Sequence, residues 1–288
     1  MRAAADAGRL VRDDQCVRVE RRVLLRRLAR MARVVGVGAA TDCGGSVRDR
    51  SWLIVGVSPK HEPDHRTPTA TRLRRCLAVI LGCGVFGFAI CIGVGRLDLP
   101  FVWAYVAVVA ALGVIAELTL DAGLRRERLK PAPGGRDVFT VRVEQVLLSL
   151  HIAIAVCDLR WGWSPASPLW IQALGLVVFA VGAAGLVWSM VCNPFFSPLI
   201  RLQSERGHRL IDRGPYAWIR HPGYLTSSTC ILASAVALGS YWALVPAVMA
   251  VAAFVRRLVL EERFLLANLS GYAGYAERVR WRLIPGVW

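Results

Sequence analysis

The sequence lacks the cysteine patterns that mark a metal or disulfide framework. None of its eight cysteines belongs to a C-x-x-C pair, and most of them lie in apolar runs. Cysteines of this kind are typical of small buried side chains, so we predict neither a metal site nor a set of disulfides. The start of the chain also lacks the apolar core of a signal peptide, because the first long apolar run begins near Leu77.

Acidic residues and lysine are both scarce. The chain has 36 Lys and Arg against 20 Asp and Glu, and Lys60 and Lys130 are its only lysines. Such an excess fits nucleic-acid binding, or basic loops held against an anionic membrane leaflet. Because 55% of the residues are hydrophobic, more than a soluble domain of this size needs, we favour the membrane and predict no nucleic-acid partner.

The basic residues are concentrated at the start of the chain. Residues 1–75 hold seventeen of the thirty-six, and the stretch 17–37 has the composition of a basic amphipathic helix lying on a membrane surface. Glycine and proline interrupt the segment that follows. We therefore divide the chain into a basic, flexible extension (1–72), a membrane region with four helices (73–192) and a C-terminal region (193–288).

Apolar runs predict an all-α integral membrane protein with about six transmembrane helices. Each long run approaches the length that crosses a hydrocarbon core of about 30 Å. The last two runs are short and form a helical hairpin, which is tilted or re-entrant. The predicted helices are Leu77–Val94, Phe101–Leu120, Val143–Cys157, Leu169–Val191, Tyr224–Leu238 and Trp242–Val255.

Arginine in alternate loops orients these helices. Residues 121–142 and 192–222 are rich in arginine, whereas the loops between them on the other side hold only Arg96 and Arg160. Because basic loops stay in the cytoplasm, we predict a multi-pass protein of the inner membrane with both termini cytoplasmic.

Two polar segments flank the short hairpin on the predicted cytoplasmic face. In the first, Pro222 is suited to the first position of a helix, which places Arg220 and His221 at the positive helix end, where an anionic group is stabilised. An interfacial loop with Arg at the lipid head groups is the alternative. In the second, Glu261 and Glu262 lie where the last apolar helix leaves the membrane. Arg257 and Glu261 can form an i,i+4 pair, and because adjacent carboxylates point about 100° apart, one can pair with arginine while the other faces a pocket.

These segments together resemble the isoprenylcysteine carboxyl methyltransferase family, which is related to the phospholipid N-methyltransferases. The resemblance lies in G-P-Y-x-x-x-R-H-P-x-Y, E-E-R-x-L, G-Y-x-x-Y and R-L-I-P-G-V-W, and it covers roughly residues 190–288. It implies S-adenosylmethionine bound on the cytoplasmic side, between the hairpin and the C-terminal tail. The residues that it assigns to the cofactor are Arg220, His221, Pro222, Tyr224, Glu262, Tyr272 and Tyr275.

The resemblance also implies a reaction and a class of substrate. Arg257 and Glu261 are its candidate catalytic residues, with Arg257 near the methyl acceptor. The acceptor is expected to be a carboxylate on a prenylated or otherwise lipophilic molecule that enters from the membrane. Thr226 stands close to where the family usually has glycine, so we expect a narrower site if that glycine contacts the cofactor.

Two alternatives remain open from the sequence. In the first, the acceptor is a phospholipid or another lipid amine. An amine must be deprotonated before it is methylated, and Glu261 or His221 would then serve as the base. A non-enzymatic transporter or anchor is the other alternative, which Glu144 and His151 support because ionisable residues inside a membrane are usually functional.

Overall fold

A computed structural model of the chain describes residues 69–131 and 134–288, and within them the protein is all-helical. The single β feature of these residues is an isolated bridge between Arg136 and Ile200. The predicted extension 1–72 and its amphipathic helix lie almost wholly outside the described residues. The helices are α1 (Thr69–Val94), α2 (Pro100–Thr119), α3 (Ala122–Leu129), α4 (Val138–Trp161), α5 (Leu169–Cys192), α6 (Pro222–Ala237), α7 (Leu244–Asn268) and α8 (Tyr272–Arg278).

Four helices, α1, α2, α4 and α5, are long and apolar enough to cross a membrane. Their outer faces carry large exposed apolar side chains such as Leu81, Val85, Val177 and Val181, which suit contact with lipid. The prediction of an all-α, multi-pass membrane protein is therefore confirmed. Helix α6 has 16 residues, and α7 carries charged residues over its second half, so the count of six spans stays a prediction.

The helices extend beyond the apolar runs that predicted them. Helix α1 begins at Thr69 instead of Leu77, and α7 continues to Asn268 instead of stopping at Val255. Arginine and glutamate are good helix formers, so the helical backbone continues where the hydropathy falls. The predicted start of α6 is confirmed, because Pro222 is its first residue.

Helix α3 and its contacts hold the loop 193–221 in place. Asp121 caps α3, since its Oδ1 accepts hydrogen bonds from the backbone N–H groups of Gly123 (2.8 Å) and Leu124 (3.1 Å). On the same helix, the buried Glu127 pairs with Arg201 at 2.7 Å. The pair ties the loop that precedes α6 to this short helix.

One face of α4 carries buried polar residues at intervals of seven. Glu144, His151 and Asp158 are 8%, 2% and 3% exposed. Each contacts the α6–α7 hairpin. The contacts are Glu144 with Arg257 (3.1 Å), His151 with Ser234 Oγ (2.8 Å) and Ala243 O (2.9 Å), and Asp158 with Ser240 Oγ (2.5 Å). These contacts fix the hairpin along the length of α4.

Small residues bring α5 and α6 together. A Cβ atom added to Gly175 would lie 2.6 Å from the backbone nitrogen of Ala237, and one added to Gly185 would lie 2.8 Å from Thr226 Cγ2. Close helix approach through small residues is common in membrane proteins. The packing also turns the Thr226 side chain towards α5.

Candidate active site

A cavity of about 260 Å³ lies where α4, α6, α7 and α8 meet the loop 193–221. Polar lining comes from Glu144, Asn193, Arg220, His221, Arg257 and Glu261, and aromatic lining from Phe195, Phe196, Tyr216, Tyr224, Phe254, Phe264, Tyr272 and Tyr275. The cavity therefore combines ionisable groups with aromatic walls, as binding sites for small polar ligands do.

The Arg-His-Pro motif forms the junction between the loop and α6. Pro222 is buried at the start of α6, and Gly223 follows it against the ring of Phe196. A Cβ atom at Gly223 would lie 2.4 Å from Phe196 Cε2, a separation that atoms do not tolerate. Glycine at this position therefore lets the aromatic wall of the cavity approach the first turn of α6.

Glu262 is the centre of a buried ion cluster. Its Oε2 lies 2.6 Å from His221 Nε2, and its Oε1 lies 2.8 Å from an Arg220 nitrogen and 3.6 Å from Arg282 Nε. The Tyr272 hydroxyl is 3.4 Å from Oε2. Both carboxylate oxygens are thus taken up by the protein's own groups, and Glu262 itself is not part of the cavity lining.

Arg220 ties the C-terminal tail to this cluster. Its Nη1 donates to the carbonyl oxygens of Ala276 (3.0 Å) and Val279 (2.9 Å). The backbone N–H of Arg220 donates to Trp281 O, and that of His221 to Arg282 O. Nη1 and the backbone N–H of Arg220 therefore position the tail, whereas Nη2 pairs with Glu262 and the buried Nε has no hydrogen-bond partner among the described residues.

Glu261 has surroundings unlike those of its neighbour. Tyr224 donates its hydroxyl hydrogen to Glu261 Oε2 at 2.6 Å, and Glu261 is partly exposed. Within the described part of the chain, Glu261 Oε1 receives no hydrogen bond. Since Glu261 lines the cavity, this carboxylate has an acceptor available for a ligand.

The two tyrosines of α8 form one wall. Both are buried, and the Tyr275 hydroxyl donates to the carbonyl oxygen of Tyr216 at 2.7 Å. Burial raises the pKa of Tyr272 and of Tyr275 above the usual range, and the nearby Glu262 raises that of Tyr272 further. Both phenols are therefore neutral hydrogen-bond donors at physiological pH.

Arg257 lies on the α4 side of the cavity. It is 5% exposed, and its Nη1 donates to Glu144 Oε2 at 3.1 Å. Its Nη2 donates to the carbonyl oxygen of Pro198. The sequence offered Glu261 as its partner at i,i+4, whereas the structure pairs Arg257 with Glu144 on a different helix.

His208 marks the loop side of the cavity. Its ring stacks on Phe195 with centroids 4.5 Å apart, and its Nδ1 accepts the backbone N–H of Gln203 at 3.2 Å. Burial lowers the pKa of His208 to about 4, and the neighbouring Arg201 and Arg206 lower it as well. His208 is therefore a neutral, structural histidine.

The structure brings together the residues that the sequence selected. Seven of the nine line the cavity: Arg220, His221, Tyr224, Arg257, Glu261, Tyr272 and Tyr275. Pro222 and Glu262 lie behind them. Among the described residues, no three His, Cys, Asp or Glu side chains are grouped so that they could hold a metal.

Two residues have a different place from the one expected. Thr226 does not line the cavity; its hydroxyl donates to the carbonyl oxygen of Pro222 (2.9 Å), and its methyl group faces Gly185. The expected narrowing is absent. Glu144 lines the cavity, although the sequence offered it only as support for a transporter or anchor. The seven-residue spacing of Glu144, His151 and Asp158 is the signal that could have revealed it, because that spacing places them on one helix face.

The family comparison agrees with this arrangement. The sequence profile of the isoprenylcysteine carboxyl methyltransferase (ICMT) family matches residues 173–267. Over this segment the chain is similar to that family. The matched segment contains the Arg-His-Pro motif and the two carboxylates, and the predicted resemblance is confirmed. The match supports a membrane methyltransferase.

The match begins earlier than the predicted 190 and ends before the tail, so the G-Y-x-x-Y and R-L-I-P-G-V-W motifs lie outside it. A solved structure of the eukaryotic intramembrane Ras methyltransferase ICMT is similar at 16% sequence identity, with a TM-score of 0.37, over 78% of this chain and 90% of that one. No curated protein matches the chain.

Proposed function

We propose that the protein is a methyltransferase that uses S-adenosylmethionine to methylate a carboxylate on a lipophilic molecule, of which a prenylated cysteine is the first candidate. One observation carries the proposal. The family-matched polar residues and the apolar side chains of α4 line the same cavity, so a polar donor and a lipophilic acceptor can meet there.

The residues present suit the cofactor. S-adenosylmethionine carries an ammonium, a carboxylate, a ribose diol and a sulfonium, and it supplies an electrophilic methyl group when bound. Glu261 offers an unpartnered carboxylate oxygen to a diol or an ammonium. The faces of Tyr224, Phe196 and Phe254 suit a cation. The cavity volume of about 260 Å³ is just below the roughly 300–1,000 Å³ that ligand pockets span.

The acceptor end lies on the α4 side. Val141 and Leu148 of α4 line the cavity, and Leu148 is 41% exposed on the outer surface of the helix bundle. A lipophilic tail can therefore extend from the cavity past Leu148 into the bilayer. Arg257 lies beside this opening and is the cation that would orient a carboxylate.

The proposed reaction requires the protein to align the cofactor with the acceptor and to exclude water. Methyl transfer from a sulfonium to a carboxylate is a displacement in which opposite charges disappear, so it needs no nucleophile-base triad. Tyr224, Tyr272 and Tyr275 provide aromatic walls that suit this requirement. In this proposal Glu262 positions Arg220 and His221 and does not touch the ligand.

We also propose that the protein lies in the inner membrane, with the site and both termini on the cytoplasmic side. The arginine-rich segments 121–142 and 192–222 support this orientation.

The test is a calorimetric titration of the purified protein with S-adenosylmethionine, followed by transfer of a radiolabelled methyl group to an S-prenylated cysteine and to a matched lipid amine. We expect cofactor binding, and label that appears in the carboxylate acceptor as a base-labile ester. Glu261→Gln should weaken binding, and the matched Glu277→Gln, which removes an exposed carboxylate from α8, should not. No binding of the cofactor would refute the proposal. Label in the amine alone would mean that the acceptor is an amine and not a carboxylate.

A further inference from the structure

The Glu144–Arg257 ion pair is incomplete in a way that points to a ligand. The two residues are only 8% and 5% exposed, and both line the cavity. One oxygen of Glu144 and two nitrogens of Arg257 have partners, but within the described residues the buried Glu144 Oε1 and Arg257 Nε have none. Buried polar atoms are nearly always hydrogen-bonded, so a free acceptor and a free donor on these two paired side chains point to a further partner.

The donors and acceptors of each possible ligand group show which group can bind both Glu144 Oε1 and Arg257 Nε. An ammonium group only donates, so it would leave Arg257 Nε without an acceptor. An ionised carboxylate only accepts, so it could not donate a hydrogen bond to Glu144 Oε1. The two negative charges would then face each other with no hydrogen atom between them. A neutral carboxylic acid has one carbonyl oxygen for Arg257 and one O–H for Glu144, and it satisfies both atoms.

We propose that Glu144 is the base that receives the proton of a carboxylic-acid acceptor, which enters from the bilayer in its neutral form. This inference rests on the proposed function. The acceptor O–H bond breaks, its electron pair stays on the acceptor oxygen, and the proton bonds to Glu144 Oε1. Arg257 then exchanges the neutralised Glu144 for the new acceptor carboxylate. A small rotation of the Glu144 carboxyl about its last side-chain torsion, which is a soft one, brings Oε1 towards the acceptor.

The exchange keeps the buried charge balanced. Before it, Arg257 is paired with the Glu144 carboxylate; afterwards it is paired with the acceptor carboxylate, and Glu144 is uncharged. At no stage is a buried charge left without a partner, which would be strongly unfavourable. The other groups that face Glu144 are Glu261 on α7, Tyr224 on α6 and Asp137 at the start of α4, while Arg128 on α3 faces Arg257.

Proton uptake measures the exchange directly. An S-prenylated N-acetylcysteine, ionised at pH 7.5 in detergent, is titrated into the cofactor-loaded protein by calorimetry in two buffers of different ionisation enthalpy. We expect uptake of about one proton per acceptor bound, and an affinity that falls about tenfold for each pH unit above the acceptor's own pKa. The methyl ester of the same compound should bind without uptake.

Glu144→Gln should reduce the uptake to about zero and make acceptor affinity independent of pH, because an amide cannot take the proton. The matched control is Glu117→Gln, which removes another buried carboxylate oxygen from the apolar helix α2 away from the cavity, and which should keep the wild-type uptake. Binding of the acceptor to wild type without proton uptake, or unchanged uptake in Glu144→Gln, would overturn the inference.

A second measurement needs no variant. Infrared difference spectra of wild type with an acceptor labelled by ¹³C at its carboxyl group should show an ionised acceptor and a new unlabelled carboxylic-acid band from the protein. An acceptor that stays protonated would overturn the inference. If the protein binds S-adenosylmethionine and methylates this acceptor in either case, the proposed function stands and only the role of Glu144 fails.

Discussion

Glu261 and Glu262 are adjacent carboxylates with different surroundings, and glutamine at each position should separate their roles. Glu262 is 4% exposed and holds Arg220 and His221. Removing one partner of a buried ion pair costs about 3–5 kcal/mol. Arg220 keeps its carbonyl partners on the tail, so we expect about 3 kcal/mol, the lower end of that range, for Glu262→Gln.

Converted to temperature, that loss is easy to measure. At about 2–4 °C per kcal/mol for a chain of this size, Glu262→Gln should lower the unfolding midpoint by about 6–12 °C. Glu261→Gln keeps an oxygen that can accept from Tyr224, so its cost is about 1 kcal/mol, or about 2–4 °C. Its cofactor affinity should fall instead, because a charge-assisted hydrogen bond of about 1.5–3 kcal/mol corresponds to roughly tenfold to a hundredfold.

Thermal unfolding and calorimetric titration on the same detergent-solubilised preparations test both expectations, with Glu277→Gln as the control. Equal losses of stability in the two variants would refute the division of roles. A Glu262→Gln protein with wild-type stability and weakened cofactor binding would indicate that Glu262 contacts the cofactor directly.

Further predictions concern the topology, the extension and the loop. Reporter fusions at the two ends of the chain should both give cytoplasmic signals, and an extracytoplasmic signal from the C-terminal fusion would overturn the orientation of the site. A chain that starts at Thr69 should still insert and bind S-adenosylmethionine; a well-folded truncation without binding would contradict this. As the pH falls from 6.5 towards 4, the unfolded chain binds a proton at His208 that the folded chain does not. The free energy of unfolding should therefore decrease over that range, and less so in His208→Asn, as denaturant titrations at several pH values would show. Thr226→Gly should leave cofactor affinity unchanged, since Thr226 faces α5; a change in affinity would place it at the site.

The helices were predictable where one physical property dominates. The long apolar runs of α1, α2 and α5 follow directly from the need to satisfy the backbone inside a bilayer. Helix α3 was missed, because it has only eight residues, four of them charged, and its local signals are limited to the Asp121 cap and the basic residues of its last turn. The ends of α1 and α7 were missed because charged helix formers continue a helix without adding to its hydropathy.

The site was predictable to the extent that motif residues carry it. Arg220, His221, Tyr224 and Glu261 line one cavity, as their positions on either side of the hairpin suggested. The partners of Glu262 and Arg257 could not be read from the sequence. Ion pairs between helices depend on rotation and depth in the bundle, and these are set by packing over distances that no local pattern records.

The polar face of α4 explains how a short hairpin can support a site of this kind. Glu144 and Asp158 are fourteen residues apart, or about 21 Å along a helix. The hairpin contacts both of them, so it runs beside α4 for most of a hydrocarbon core of about 30 Å. At its turn, Asp158 accepts hydrogen bonds from Ser164 and Ser240, and Ser240 Oγ accepts the backbone N–H of Ala243. These polar groups of the turn therefore find their partners within the protein, as groups at membrane depth must. With the turn held by Asp158 and the opposite end held by Glu144, the hairpin is fixed against α4 at both ends, and α4 can therefore serve as one wall of the cavity.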